Sequence, residues 1–346
     1  MIEFYICLAI IIAFLITVFL GKILIPILTK LKCGQTIFEI GPNWHKSKQG
    51  TPTMGGIIFI IGITLSLVVC LPLYYLSGII IGIKTIETHV TIIKIIAGII
   101  MALCYALVGF IDDYIKIVKN RNLGLTAKQK LIMQFMIVSS YLGSIYLTET
   151  FYFGEARTLV SIPFFGQLNL GQTYWIFAAF VIVGIVNAAN LTDGVDGLCA
   201  TVSLANGVGY ITIAQMLAMN GLAILSSAMV GGSLGFLIWN FYPAKVFMGD
   251  TGSFFLGGLT CAIGMTTGNI SILIIVAAVY ILEMLSVIIQ VIYFKISHGK
   301  RLLKMSPVHH HFEMIGYPEK KICYIFAVLA FICSLIVIII LYIGKI

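Results

Sequence analysis

The sequence predicts an all-α protein that crosses a membrane about ten times. Of its 346 residues, 60% are hydrophobic and only 10% are charged, and the mean hydropathy is +1.09. Charged residues make up about 25% of a typical soluble domain, so this composition excludes that class. Apolar windows of about 20 residues, the length that crosses a bilayer core, recur along the whole chain. We therefore predict a single integral-membrane domain over residues 1–346.

Ten apolar windows define the predicted spans. The first lacks a basic leader region and a small-residue cleavage site, which indicates a retained helix rather than a signal peptide. The ninth would be about 42 Å long as a helix, against a bilayer core of about 30 Å, so it must tilt, bend or break. The spans cover residues 4–21, 53–76, 91–111, 128–148, 172–189, 198–217, 221–241, 252–268, 270–297 and 321–343.

The connection between the fourth and fifth spans is the longest on its side of the membrane. Two β-prone runs within it flank the turn from Pro163 to Gly166. This pattern predicts a small β-hairpin.

Basic residues are divided unequally between the two sides of the membrane. If the spans alternate in direction, one set of connections carries 17 of the 21 Lys and Arg residues. The positive-inside rule places this set in the cytoplasm and both termini outside. The net charge of +8 then reflects topology and anionic substrates, and we predict no nucleic-acid partner. The set comprises connections 22–52, 112–130, 190–197, 242–252 and 295–321.

The same connections hold all five Asp residues and five of the six His residues. A transporter or flippase would more often bury ionisable groups near the middle of the membrane and would show inverted repeats. Titratable groups gathered at one face are expected instead for an active site that takes its substrate from the cytosol. We therefore predict a membrane enzyme with a cytoplasmic active site.

The stretch from Asn187 to Gly197 is unusually polar for this chain. It reads Asn-Ala-Ala-Asn-Leu-Thr-Asp-Gly-Val-Asp-Gly. Asp193 and Asp196 are three residues apart, so a helical turn would direct both carboxylates to the same face. A polar loop between two membrane helices needs only one acid–glycine turn, and here there are two. The pattern favours a site for a hard cation or a sugar nucleotide.

The first cytoplasmic loop ends in a glycine-rich segment. Thr51 and Pro52 are typical of a helix N-cap and first helical residue, so we predict that the second helix begins there. Free N–H groups at a helix start bind anions, and His45, Lys46 and Lys48 add positive charge. Ordinary loop charge is the alternative, but the pattern favours a phosphate or nucleotide contact.

Two adjacent carboxylates close the third span. Asp112 and Asp113 would point about 100° apart on a helix, so they should do different jobs. Lys116 has the spacing to pair with both, but such a pair is worth only a few tenths of a kcal/mol. The pattern therefore favours metal binding or acid–base chemistry. Lys128 opens the next span and either faces the same site or anchors its helix at the membrane surface.

Two further segments complete the candidate site. A Gly-Asp-Thr-Gly run around Asp250, together with Asn240 and the other Asp residues, makes a Mg²⁺ candidate. Mg²⁺ commonly takes one or two carboxylates together with substrate phosphate oxygens. His309, His310 and His311 first suggest zinc, but neighbouring side chains rarely converge on one metal and no Cys completes a site. We interpret the run as a phosphate or sugar contact.

The ninth span carries a polar stripe of Glu283, Ser286 and Gln290. Their helical spacing puts them on one face. They form either hydrogen bonds between helices inside the bundle or the wall of a groove near the site, and the pattern favours neither.

Taken together, these segments resemble the phospho-N-acetylmuramoyl-pentapeptide transferases, the MraY family, over essentially the whole chain. A related transferase that moves N-acetylglucosamine phosphate would share the Asp-Asp and Asn-x-x-Asn regions but not the first or last motif. The motifs that carry the resemblance are Lys48-Gln-Gly-Thr-Pro-Thr-Met-Gly-Gly56, Phe110-x-Asp-Asp-x-x-Lys116, Asn187-Ala-x-Asn-Leu-Thr-Asp-Gly-x-Asp-Gly197, Met248-Gly-Asp-Thr-Gly252, Ser286-Val-x-x-Gln290 and Met305-x-Pro-x-His-His-His-Phe-Glu313.

The resemblance implies a homodimer of ten-helix chains in the bacterial inner membrane, with Mg²⁺ held by Asp250. It also implies the reaction: phospho-MurNAc-pentapeptide moves from UDP-MurNAc-pentapeptide to undecaprenyl phosphate, giving lipid I and UMP in peptidoglycan synthesis. By the resemblance, the catalytic residues are Asp112, Asp113, Lys116, Asp250, His309 and His310. The substrate-binding residues it implies are Lys48, Thr53, Lys128, Asn187, Asn190, Asp193, Asp196, Asn240, Phe247, Gln290 and His311.

Overall fold

The computed structural model describes the backbone of residues 2–31, 48, 50–81, 86–119 and 123–344, and the side chains of these except 78–81. His45 and Lys46, predicted to lie near a phosphate, fall outside the described residues. The elements in chain order are α1 (Ile2–Lys30), α2 (Gly56–Ile81), α3 (Ile86–Val118), α4 (Ala127–Phe153), β1 (Leu159–Ile162), β2 (Gly166–Asn169), α5 (Thr173–Thr192), α6 (Leu198–Met216), α7 (Asn220–Asn240), α8 (Gly249–Thr266), α9 (Ile270–Val276), α10 (Ala278–Ile296), α11 (Val308–Met314) and α12 (Glu319–Tyr342).

The all-α membrane architecture is confirmed. Each predicted span coincides with one helix, except the ninth, which breaks at Ala277 into α9 and α10. Within the described ranges, nine helices are long and apolar enough to cross a membrane. The break answers the excess length of the ninth span, because an unbroken helix of that length would exceed the bilayer core.

Helix α8 is the predicted span that is absent from those nine. Its 18 residues form the interior of the bundle, and every residue from Thr251 to Thr266 is buried. Because protein rather than lipid surrounds it, it needs no continuous run of large apolar side chains. It packs tightly against α3 at Gly109, where an added Cβ would lie 2.2 Å from the Asp250 carbonyl oxygen. This approach brings the end of α3 against the start of α8, a region that we call the site end of the bundle.

The predicted β-hairpin is confirmed at the opposite end. Strands β1 and β2 pair antiparallel, with Leu159 opposite Asn169. A buried ion pair beside it joins α3 to α4, with the Lys94 Nζ atom 2.5 Å from the Glu149 Oε1 atom. The other oxygen of Glu149 accepts a hydrogen bond from the backbone N–H of Arg157 at 2.8 Å, which ties the chain entering the hairpin to the bundle.

The predicted start of the second helix is wrong. Helix α2 begins at Gly56, and the segment before it is extended. The Phe247 N–H donates to the Pro52 carbonyl at 2.8 Å, and the Gly55 N–H donates to the Phe247 carbonyl at 2.8 Å. Pairing with a distant segment therefore overrides the local capping signal, and it carries the neighbouring Thr53 to the site end.

Candidate functional site

Three carboxylates converge at the site end. Asp112, Asp113 and Asp250 each offer an oxygen, and these atoms all lie within 4.8 Å of one another. Two ammonium groups lie among them: Lys116 Nζ is 2.7 Å from Asp112 and 3.2 Å from Asp250, and Lys130 Nζ is 3.0 and 2.8 Å from the same two carboxylates. We call these five residues the carboxylate cluster. Its lysines offset part of the negative charge that three close carboxylates would otherwise accumulate.

Asp113 fixes the start of α8. Its two oxygens accept hydrogen bonds from the backbone N–H groups of Asp250 and Thr251 at 3.2 and 3.0 Å, and from the Thr251 hydroxyl at 2.7 Å. A carboxylate that accepts hydrogen bonds from the first N–H groups of a helix caps the helix and interacts favourably with the positive end of its dipole. Asp113 therefore sets the position of Asp250.

Asp112 has different partners. It is fully buried, one oxygen accepts the Leu125 N–H at 2.6 Å, and the other faces both lysines of the cluster. The expectation that Asp112 and Asp113 do different jobs agrees with this geometry. Asp112 organises positive charge, whereas Asp113 organises a helix start.

Asp250 is the member best placed to meet a ligand. Its side chain is 16% exposed, against 0% for Asp112 and 3% for Asp113. The Asn190 side-chain amide donates at 2.8 Å to the Asp250 oxygen that does not face the lysines. The same amide donates to the Ser253 hydroxyl at 2.9 Å. The donor set consists only of oxygens, which suits a hard divalent cation. The cluster can therefore hold such a metal, with Asp250 as the accessible ligand.

Lys130, which the sequence analysis missed, takes the place expected of Lys128. Lys128 is exposed, whereas Lys130 bridges Asp112 and Asp250. Both lie in the first turn of α4, where residues two apart point about 200° from each other, so only one can face the cluster. Lys130 therefore joins the candidate phosphate contacts, and the exposed position of Lys128 fits the alternative of an anchor at the membrane surface.

A second charged group surrounds Lys48. The Lys48 Nζ atom lies 2.7 Å from Asp196 and 2.6 Å from Glu319, the first residue of α12. Burial alone would lower the pKa of the Lys48 ammonium, but its hydrogen bonds to both carboxylates outweigh burial and raise the pKa. Glu319 also accepts the Asp196 N–H at 3.0 Å. Glu319 was not predicted, because nothing in the sequence relates it to residues so far away.

Three amide side chains that were predicted to bind substrate form hydrogen bonds within the protein. Asn187 pairs with Gln134 across α4 and α5. Asn240 accepts the Gly197 N–H and donates to the Val246 carbonyl. Gln290 binds the backbone of Leu302 and Leu303. Their geometry supports a role in holding the site segments in place.

The three consecutive histidines do not converge on a metal. The Nδ1 atom of His309 lies 2.9 Å from Glu283, that of His310 bonds to Glu313, and that of His311 accepts the Lys304 N–H at 3.2 Å. In the described part of the chain, the only group of three or more potential ligands is the Asp triad. The three rings therefore face three different partners.

The remaining predicted residues lie at the edge of the site. Phe247 is partly exposed and Thr53 is buried, and the backbone pairing described above joins their segments. Asp193 follows α5 and has a partly buried carboxyl. Burial, and then the negative charges of Asp250 and Asp113, raise the pKa of that carboxyl well above its usual range. Asp193 is therefore electrostatically part of the same site.

The segment at residues 190–197, which is the end of α5 and the loop that follows it, contacts each of these groups. Asn190 orients Asp250 in the carboxylate cluster, Asp196 pairs with Lys48, and Gly194 lies against the His309 ring. A site with lysines beside carboxylates can hold a metal and neutralise several phosphate charges, which is what phosphoryl transfer requires.

Comparisons with known proteins agree with this chemistry. A family model described as glycosyl transferase family 4 matches residues 95–268, and a phospho-N-acetylmuramoyl-pentapeptide-transferase signature matches residues 48–60. The curated phospho-N-acetylmuramoyl-pentapeptide-transferase of Desulfitobacterium hafniense is 42% identical and covers 94% of each chain. That of Clostridioides difficile is 42% identical over 95% of each chain, and that of Bacillus pumilus is 43% identical over 93% of each. The chain therefore belongs to the phospho-N-acetylmuramoyl-pentapeptide transferase family of membrane enzymes.

Proposed function

We propose that the protein catalyses the Mg²⁺-dependent transfer of phospho-MurNAc-pentapeptide from UDP-MurNAc-pentapeptide to undecaprenyl phosphate. The products are lipid I and UMP. The family membership supports a phospho-MurNAc-pentapeptide transferase in general. The observation that carries the finer statement is the carboxylate cluster, in which two lysines and an accessible carboxylate meet at one end of the bundle.

The side chains of the cluster would divide the work. Asp250 would hold Mg²⁺, which would supply positive charge beside the substrate pyrophosphate. Lys116 and Lys130, now paired with the carboxylates, can turn their N–H groups towards phosphate oxygens. Asp113 holds the first turn of α8, and Asn190 holds the Asp250 side chain, so the ligand atoms need little reorganisation.

The group around Lys48 would receive the nucleoside. This assignment comes from the resemblance, and two observations support it. Lys48 and Asp196 belong to the two segments that carry the first and third motifs, and their direct pairing joins those segments. Phe247 offers a partly exposed ring at the neighbouring strand-like segment, a surface on which a base can stack.

A single assay tests the proposed reaction. Detergent-purified protein is given undecaprenyl phosphate, MgCl₂ and one UDP-sugar, and released UMP is measured. We expect UMP from UDP-MurNAc-pentapeptide, none from UDP-N-acetylglucosamine, and loss of the signal with EDTA. Turnover with UDP-N-acetylglucosamine would favour the related sugar-phosphate transferase, and binding without UMP release would favour a transporter.

Lys130→Ala should lower kcat/KM by about 100-fold, as for loss of one charge-stabilising donor. Lys128→Ala is the matched comparison, because it removes the same charge from the same helical turn. Exposed substitutions typically change free energies by about 0.5 kcal/mol or less, so we expect about a twofold change there. Equal losses in the two variants, measured by UMP release, would contradict the position given to Lys130.

We also propose that both termini lie outside the cell and that residues 295–321 lie in the cytoplasm, in a bacterial inner-membrane homodimer. The topology is inferred from the excess of Lys and Arg residues in one set of connections. A membrane-impermeant thiol reagent on intact cells should label a cysteine introduced at Gly344 and should not label one at Gly299. The reverse pattern would invert the topology.

The homodimer rests on the resemblance, and a monomeric molar mass in detergent would contradict it.

A further inference from the structure

The interior of the site end contains a buried carboxylate–imidazole pair that the proposed reaction does not yet use. Glu283 lies on α10 and His309 on α11, and both side chains are fully buried. The His309 Nδ1 atom lies 2.9 Å from the Glu283 Oε2 atom. A buried carboxylate without a partner is costly, so this contact compensates Glu283 and joins the two helices.

The opposite edge of the His309 ring has no such partner. Among the residues that the structure describes, no group forms a hydrogen bond with the buried Nε2 atom. This atom faces the loop that follows α5, because a Cβ added to Gly194 would lie 2.3 Å from it. Glycine is therefore needed at residue 194 for the ring to approach the loop. The ring connects Glu283 on one side with the segment at residues 190–197 on the other, and this segment contacts Asp250 and Lys48.

A carboxylate bonded to one ring nitrogen of His determines which nitrogen carries a proton and how the ring is turned. We propose that Glu283 is a positioning residue that accepts the Nδ1–H of a doubly protonated His309 ring, so that the Nε2–H donates to a phosphate oxygen of the bound substrate. This inference rests on the proposed function, since the phosphate belongs to its substrates. Ser286, whose hydroxyl donates to the Glu283 carbonyl at 2.6 Å, helps to hold this turn of α10.

A double-mutant cycle separates positioning from mere helix packing. We expect Glu283→Gln to lower kcat by about tenfold or more, in the range for a misplaced catalytic group, with KM changed by less than about threefold. In a His309→Ala background, Glu283→Gln should cause no further loss, because its effect passes through the ring. Losses that multiply, or a Glu283→Gln variant as active as the wild type, would overturn the inference.

Gly194→Ala provides a second route in case Glu283→Gln does not fold. The added Cβ displaces the ring edge but leaves the carboxylate in place, so we expect a similar loss of kcat that disappears in the His309→Ala background. The matched control is Glu149→Gln, which neutralises the carboxylate of a buried Glu–Lys pair beside the hairpin and should leave kcat unchanged in the folded fraction. A wild-type protein that releases no UMP would overturn the proposed function itself. Wild-type turnover with an unaffected Gly194→Ala variant would overturn only the role of Glu283 and His309.

Discussion

Asp250→Asn is expected to lower turnover by about 1000-fold or more, because a bound metal stabilises the transition state by several kcal/mol and each 1.4 kcal/mol is tenfold in rate. The variant should stay folded, since the backbone N–H of residue 250 still donates to Asp113. An Asn side chain is also close in size to Asp. The loss should therefore arise from the missing charge at the accessible edge of the carboxylate cluster.

Two measurements locate the effect of Asp250→Asn. UMP release gives turnover, and the detergent melting temperature with and without MgCl₂ gives metal binding, because a ligand that binds only the folded state stabilises it. The wild type should be stabilised by Mg²⁺ and the variant should not. A variant that keeps its Mg²⁺-dependent stabilisation, or that turns over normally, would remove Asp250 from the metal site. An aggregated size-exclusion profile would assign it a structural role instead.

Asp112→Asn should remain impaired by more than tenfold even at pH 9. A simple role for Asp112 would be to take a proton from the lipid phosphate. The second pKa of a phosphate monoester is about 6, so at pH 7 most of the acceptor is already ionised and a base contributes only about tenfold. The geometry indicates a larger role, because Asp112 is fully buried, bonds to the Leu125 N–H and holds Lys116 and Lys130. Removing its charge frees both lysines from their present positions.

The pH–rate profiles of the wild type and Asp112→Asn distinguish these roles. If the carboxylate is only a base, the variant should approach wild-type activity at high pH, where the acceptor needs no base. If it organises the lysines, the gap between the two profiles should persist across the range. The wild type, measured in the same detergent and at the same pH values, controls for general effects of pH.

The sequence was sufficient for most of the fold. The need to satisfy every backbone polar group inside a membrane leaves helices as the only choice for apolar spans of this length. For this reason the ten apolar windows could be predicted as helices from the chain alone. Turn residues around Pro163 also predicted the β-hairpin. The length of the ninth span required only that it tilt, bend or break, and the structure places the break at Ala277. The start of α2 could not, because Pro52 and Gly55 pair with Phe247, almost 200 residues away.

Residue types with a strong chemical preference were also visible in the sequence. Asp112, Asp113 and Asp250 stand out because ionisable side chains are rare in membrane-spanning segments, and the structure brings all three together. Amides are less informative, because they bind substrate and backbone equally well. Asn240 and Gln290 match motif positions, yet in the structure both bind backbone groups of the protein.

The sequence by itself determined the fold class and the family, because composition, hydropathy and motif order depend only on the chain. The tertiary structure decided which of two nearby lysines enters the cluster, that Glu319 pairs with Lys48, and that Glu283 faces His309. Each of these depends on the rotation of one helix relative to another. Successive residues point about 100° apart on a helix. A helix turned by that angle about its axis would therefore exchange the partners of its side chains, while the apolar pattern in the sequence stays the same.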